Sequence, residues 1–247
     1  MLEKIDGIII KTQDYGETHK IVTIFSKKLG KFTALARGAK KPKSRMAAVT
    51  QPFIYGEFFV YVNRGLSTIQ QGEMIHSFRP IREDIIKTAY TAYITELTDK
   101  LVDMQSPDIF LYEELYETMS WIEKNEDAEI PVMMYEFKLY AKGGFSPTVD
   151  KCVNCGNSTQ LIAFSITEGG LLCNRCRSID QGAFNLPTSM IKLLYVFSTL
   201  QLNRIGTISV KQENKKLLRQ LMDAYYDKYG GYHLKSRKFL NQLDLLK

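Results

Sequence analysis

Three observations predict an α+β multidomain protein, in which a five-stranded N-terminal barrel precedes an α-helical domain carrying a four-cysteine insertion. Up to about residue 79 the apolar residues alternate or cluster in short β-branched and aromatic runs, whereas from Ile81 they recur at spacings of three and four. All four cysteines fall between residues 152 and 176. The chain has 247 residues, 45% of them hydrophobic, enough for a sizeable core and too apolar for disorder. The predicted divisions are 1–79, 80–150, 151–180 and 181–247.

The elements follow in order. Residues 7–12 are an apolar first strand. Residues 19–26 (HKIVTIFS) alternate, with Ile21, Thr23 and Phe25 opposite Val22 and Ile24, and Gly30 suits a tight turn into a third strand over 31–37. Residues 53–62 (FIYGEFFVYV) read as a fourth strand, and Asn63-Arg64-Gly65 turns into a fifth over 66–75. Five short strands with glycine at the corners fit an OB-fold, with an SH3-like barrel as the rival that periodicity does not separate. After Pro80, the positions Ile85, Ile86, Ala89, Tyr93, Leu97, Leu101 and Met104 mark a helix, broken by Ser106-Pro107-Asp108. Asp84 suits a helix start, where the dipole favours an acid. A second helix over 109–123 turns Leu111, Leu115, Met119 and Ile122 inward, and a third has Pro131 in its first turn and ends at Gly143-Gly144. Beyond the cysteines, Pro187 opens a helix with Ile191, Leu194, Phe197 and Leu200 as its stripe. A helix over 213–229 and a basic amphipathic tail over 233–246 complete the chain.

The net charge of +6 is a cancellation. Residues 1–80 hold 13 Lys/Arg against 6 Asp/Glu, residues 81–150 hold 6 against 15, and residues 151–247 hold 14 against 6. Such asymmetry points to modules with separate partners and permits nucleic acid among them. No apolar run approaches membrane-spanning length, and MLEKIDG lacks the apolar stretch of a signal peptide, so a cytoplasmic protein without membrane association is expected.

The sharpest motif is C-x2-C-x17-C-x2-C: Cys152, Cys155, Cys173 and Cys176. Paired soft thiolates at this spacing favour one tetrahedral Zn²⁺ over an iron–sulfur cluster or a redox dithiol. Four protein ligands leave no open position, which makes the expected zinc structural. Residues 161–167 as a strand and Gly169-Gly170 as a turn complete a ribbon-like hairpin.

Residues 37–45 (RGAKKPKSR) hold five cations and no acid, and Gly38 and Pro42 mark a loop. Such a loop can sit on phosphates without reading bases. Lys40, Lys41, Lys43 and Arg45 are the first candidates for a nucleic-acid contact, followed by Arg37, Lys28 and Arg64. Of the aromatics Phe53, Tyr55, Phe58 and Tyr61, some can stack on bases and the rest belong to the core. No GxGxxG or Walker A motif is present, and His19, His76 and His233 form no metal-spaced set. Glu73 and His76 have ExxH spacing only incidentally, at a strand end, so no catalytic residue is expected. An RNA-binding factor, a zinc-stabilised protein scaffold and an unrecognised hydrolase remain as alternatives.

Several motifs together resemble the bacterial DNA repair and recombination mediator family RecO. They are Asp14-Tyr15-Gly16-Glu17, Ala36-Arg37-Gly38, Gln51-Pro52, EMIHSF at 73–78, Tyr93 with Glu96 and Leu97, and Glu136-Phe137-Lys138-Leu139. CVNCG…GGLLCNRC and Leu234-Lys235-Ser236-Arg237-Lys238-Phe239-Leu240 extend the likeness to the C-terminal region. The resemblance implies an OB-fold, a helical domain and a four-cysteine zinc module packed on the latter. It implies a non-catalytic protein that binds single- and double-stranded DNA and anneals complementary strands. The implied partners are RecR, the acidic tail of the single-stranded DNA-binding protein and, indirectly, the RecA recombinase, at the nucleoid. Lys235, Arg237 and Lys238 are candidates for holding either DNA or that acidic tail.

Overall fold

The computed structural model describes residues 1–206 and 209–244. Residues 207–208 and 245–247, which fall in the predicted segment 181–247 and include the last two positions of the predicted tail, lie outside them. The fold divides into two compact units, Met1–Ala128 with Leu234–Lys247, and Glu129–His233. The predicted boundary at 79/80 falls inside the first unit and that at 150/151 inside the second.

In the first unit, β1 (Leu2–Tyr15), β2 (His19–Ser26), β3 (Gly30–Ala36), β4 (Tyr55–Tyr61) and β5 (Ser67–His76) form a closed barrel in the order β1-β2-β3-β5-β4. All pairings are antiparallel except β3–β5. Closure rests on the length of β1. Its first half pairs with β4 (Leu2↔Tyr61 to Ile8↔Tyr55) and its second with β2 (Ile8↔Phe25 to Tyr15↔His19). A register shift between Ile9 and Lys11 interrupts the pairing with β2. Sequence periodicity finds only the middle of this strand, because Glu3, Lys4 and Asp6 interrupt the apolar signal at its start.

Ile5, Ile9, Val22, Ile24, Phe32, Phe58, Val60 and Ile69 fill the barrel. Each large side chain buried in this way contributes about 1.5–3 kcal/mol. A short helix that the sequence reading does not anticipate, α1 (Arg45–Val49), adds Val49 and Met46 to this core.

Three further helices belong to this unit: α2 (Arg79–Glu83), α3 (Ile85–Leu101) and α4 (Ile109–Lys124). Asp84 caps α3, accepting from the N–H groups of Ile86 and Lys87 at 2.8 and 2.9 Å, as its place in the sequence predicts. Asp108 caps α4, accepting from Leu111 N–H at 3.0 Å. Each such cap is worth about 1 kcal/mol. The inward stripe of α4 is buried as expected. Ile85 and Met104 are exposed instead, because α3 begins only at Ile85 and ends before Met104. The last element of the unit, α8 (Lys235–Asp244), starts on Glu96 of α3. That carboxylate accepts from the backbone N–H groups of Lys235 and Ser236 at 3.2 and 2.8 Å and from the Ser236 hydroxyl.

The second unit holds α5 (Glu129–Lys142), α6 (Thr188–Thr199), α7 (Gln212–Tyr229) and a three-stranded sheet in the order β7-β6-β8. The strands are β6 (Leu161–Ser165), β7 (Gly170–Cys173) and β8 (Phe184–Asn185). Glu136 on α5 is fully buried and accepts both N–H groups of the Arg219 guanidinium at 2.9 and 2.8 Å. Lys138 donates to Phe197 O at 2.7 Å. The Glu136-Phe137-Lys138-Leu139 motif thus joins α5 to α7 and α6. Leu200, expected on the α6 stripe, is the C-cap residue and is exposed. No helix among the described residues is long and apolar enough to cross a membrane.

Candidate metal centre and nucleic-acid interface

In the second unit the four sulfurs converge. The donor atoms of Cys152, Cys155, Cys173 and Cys176 all lie within 4.8 Å of one another, with Cys155 and Cys173 Sγ 3.7 Å apart. Two turns place them. Residues 152–156 fold back through Gly156 N–H to Cys152 O at 2.9 Å, with Gly156 at φ +74°, a conformation that glycine adopts without strain. Cys173 ends β7, and Cys176 lies in the 3₁₀ turn Asn174–Ile179.

Cys152, Cys173 and Cys176 are buried and Cys155 is exposed. Burial alone raises the Cys152 thiol, but the backbone N–H groups of Cys155, Cys173 and Asn154 outweigh it and bring the pKa to about 6. At Cys176 the Asn154 amide, 3.3 Å away, lowers the pKa, but crowding by the other three sulfurs and burial push it to about 11. Without a cation the set therefore ionises unevenly. A bound metal ion removes that conflict by neutralising the thiolates together. The residues present fit such an ion.

The module is tied into its unit through aromatics. Phe164 of β6 meets Tyr225 of α7 edge-on at 5.8 Å, and the Tyr229 hydroxyl donates to Ile166 O at 2.9 Å.

In the first unit the basic segment 37–45 is exposed at each of its cations: Arg37, Lys40, Lys41, Lys43 and Arg45. It is not a free tether. Lys41 N–H donates to Gly38 O at 3.0 Å and Ser44 N–H to Lys41 O at 3.2 Å, so the segment runs as consecutive turns into α1. Lys40 N–H donates to Thr18 O at 3.0 Å, and the Lys40 ammonium lies 2.9 Å from Asp14. That hydrogen bond holds the Asp14 carboxyl below its ordinary value. Arg37, Lys41, Lys43 and Arg45 make no ion pair among the described residues.

Lys28 and Arg64 do not join this group. Lys28 sits in the β2–β3 turn, at the opposite end of β3, 2.7 Å from Glu3. Arg64 lies in the β4–β5 turn at that same end, where Gln105 donates to Asn63 O and, through its backbone, to Lys31 O. The neighbouring lysines are paired as well. Lys27 meets Glu113 at 2.9 Å and Lys11 meets Asp99 at 2.7 Å. Lys31 is buried 3.6 Å from Asp99, and burial lowers its pKa against the opposing pull of that carboxylate. Part of the negative charge of residues 81–150 is thus the counter-surface of the barrel within one unit.

Of the barrel aromatics, Phe58 belongs to the core and Phe53 is buried. Tyr55 packs edge-on against Tyr116 at 5.4 Å. Tyr61 is exposed, and so is Phe59, two residues away on the same face of β4. His76 lies 3.0 Å from Glu123 and stacks on Phe78.

Lys235 and Lys238 are exposed at the start of α8 and Arg237 is half-buried. Lys235 lines a cavity of about 550 Å³ with Ile10, Lys11, Phe53, Glu96 and Lys100. The sequence reading misses Lys11 and Lys100 here, because three distant segments supply the cations of one cavity.

Two family models match the chain, Recombination protein O N terminal over residues 1–78 and Recombination protein O C terminal over residues 82–238. Among curated relatives, the DNA repair protein RecO of Oceanobacillus iheyensis is 61% identical over 244 residues, covering 99% of this chain and 95% of the relative. The proteins of the same name from Halalkalibacterium halodurans and Bacillus cereus (strain AH187) are 43% and 46% identical, over 99% of this chain and 96% and 98% of theirs.

Proposed function

The chain belongs to the recombination protein O (RecO) family and is a non-catalytic mediator of DNA repair and recombination, and on that premise we propose how its two sites serve that role. The barrel binds single- and double-stranded DNA and anneals complementary strands. With RecR, the protein helps to load RecA onto strands coated by the single-stranded DNA-binding protein, in the cytoplasm at the nucleoid. The observation that carries this reading is the exposed, largely unpaired basic segment 37–45. Annealing requires two anionic strands to approach, and cations without carboxylate partners lower that repulsion with no nucleotide hydrolysis. Strand order β1-β2-β3-β5-β4 supports an OB-type barrel. We assign the phosphate contacts to Lys40, Lys41, Lys43, Arg45 and Arg37, with Lys28 and Arg64 as outlying contacts at the other end of β3. The functional segments remain 1–79, 80–150, 151–180 and 181–247.

The four cysteines hold one structural Zn²⁺. Zinc–sulfur bonds of about 2.3 Å in a tetrahedron place sulfurs about 3.8 Å apart, close to the 3.7 Å between Cys155 and Cys173. When bound, zinc supplies cross-linking and charge neutralisation. The chain's own contribution is to hold four sulfurs on two turns.

The cavity beside α8 receives the acidic tail of the single-stranded DNA-binding protein. Ile10 and Phe53 offer it an apolar floor, and Lys100 and Lys235 a cationic rim. Arg237 and Lys238 follow on the same helix. Titrating a labelled peptide of that tail tests this assignment: Lys100→Glu with Lys235→Glu weakens binding about tenfold or more, and unchanged affinity refutes it.

Fluorescence-monitored annealing of coated complementary strands tests the main reading. Replacing Lys40, Lys41 and Lys43 by Glu slows annealing by at least about tenfold at moderate salt. An unchanged rate removes the segment from the mechanism.

A further inference from the structure

The end of β1 and the turn into β2, Asp14–His19, meet the basic segment directly. Besides the Asp14–Lys40 pair and the Lys40 N–H bond to Thr18 O, the backbone N–H of Gly38 points at the His19 ring, 3.0 Å from Nδ1. The Thr18 hydroxyl lies 3.3 Å from the same nitrogen. A backbone N–H can only donate, so Nδ1 must accept, and the ring is neutral with its proton on Nε2. Gly38 itself is at φ +70°, a turn geometry that this one side-chain bond helps to hold.

We propose that His19 is a positioning residue of the nucleic-acid interface, fixing the cations of residues 37–45 only while its imidazole is neutral. The inference rests on the reading of that segment as the DNA contact. A second proton on the ring must go to Nδ1 and sets two donors against each other. The Gly38 bond is then lost, and the turn that carries Arg37, Lys40 and Lys41 loses one of its attachments to the hairpin. The charged and titratable groups on the elements that meet here are Asp14, Tyr15 and Glu17 on β1 and its turn, Lys20 on β2, and Arg37, Lys40 and Lys41 beyond β3. The neutral, accepting ring is therefore the state that accompanies an intact loop. The device ties DNA affinity to pH with an unusual sign: extra protons ordinarily strengthen phosphate binding, whereas here they loosen the surface that performs it.

The test compares the wild type, His19→Asn, which keeps an acceptor near the position of Nδ1, and His19→Phe, which removes it. Two quantities are measured at about pH 8 and about pH 5.5, on either side of the ordinary imidazole range: exchange of the Gly38 amide proton by NMR, corrected for the intrinsic rate, and affinity for a single-stranded oligonucleotide. In the wild type the Gly38 amide is protected at the higher pH and loses about tenfold or more of that protection at the lower, a loss matching one hydrogen bond. His19→Asn keeps protection at both, and His19→Phe at neither. Oligonucleotide affinity follows the amide: His19→Phe binds about fivefold more weakly than the wild type at the higher pH, and His19→Asn restores most of the loss. Gly38 protection that is the same at both pH values in the wild type overturns the proposal, and so does wild-type affinity in His19→Phe. If Lys40, Lys41 and Lys43 replaced by Glu leave affinity unchanged, the basic segment is not the contact. The amide measurement then still decides what His19 does.

Discussion

Lys27, Lys28 and Lys31, around the β2–β3 turn, each lie within 3.6 Å of a carboxylate, whereas at the other end of β3 only Lys40 among the five cations of residues 37–45 does. Residue type and local density are similar, so neither separates the two regions. The counter-charges do. Glu113, Glu3 and Asp99 pair the three lysines at one end, whereas at the other Asp14 pairs Lys40 only. An exposed ion pair is itself worth little, about 0–1 kcal/mol. A phosphate could displace one, but it would still meet the carboxylate left behind. On the proposed reading, what suits residues 37–45 to phosphate is cationic charge without a paired acid.

The strongest perturbation sharpens this comparison from outside the barrel. If the four cysteines hold zinc as proposed, stripping the metal, or Cys176→Ser, should unfold the cysteine module, because a four-thiolate zinc site supplies on the order of 10 kcal/mol of folding free energy. Circular dichroism and limited proteolysis should report that loss near residues 151–180, and metal analysis should give about one zinc per intact chain. Binding of a short single strand should survive, since both ends of the barrel lie in the other unit. Simultaneous loss of oligonucleotide binding would place part of the contact on the module.

A middle-sized effect comes from Lys31→Ala. Its ammonium is buried between Asp99 and the Asp99 carbonyl. Removing it leaves Asp99 to Lys11 alone, a destabilisation of about 2 kcal/mol. Thermal unfolding should show the drop while oligonucleotide affinity stays within about twofold. Weaker DNA binding at unchanged stability would reverse the assignment of the two ends. Smallest of all, Lys27→Ala with Lys28→Ala should change stability by less than about 1 kcal/mol and leave annealing near the wild-type rate.

What was legible in the sequence depended on how far apart the cooperating residues lie. The cysteine centre is complete in its motif, because each knuckle is made within four residues. The positions of β2 to β5, of α4 and of the Asp84 cap follow from local period and capping. The first half of β1 is hidden, since Glu3 beside Ile5 on one face and Lys4 and Asp6 on the other break the apolar run. Helix α1 is hidden behind the cation run that precedes it. The basic segment could be seen as a loop, but not its attachments: Asp14, Thr18 and His19 reach it only because the β1–β2 turn comes to the end of β3. The Lys31–Asp99 pair spans 68 residues, and the cavity beside α8 draws on β1, α3 and α8. Pairing across the fold, which decides whether a lysine is free for phosphate, has no local signature.

We propose that the unpaired cations at residues 37–45, rather than the paired ones around the β2–β3 turn, meet the DNA backbone. The slope of log affinity against log salt for a single-stranded oligonucleotide counts such contacts directly, at about 0.7 per phosphate. With Arg37, Lys41, Lys43 and Arg45 replaced by Ala, the slope should fall by about 2–3, while Lys27→Ala with Lys28→Ala should leave it unchanged. A wild-type slope in the fourfold variant, or an equal fall in the double variant, would mean that these cations are not the DNA contact.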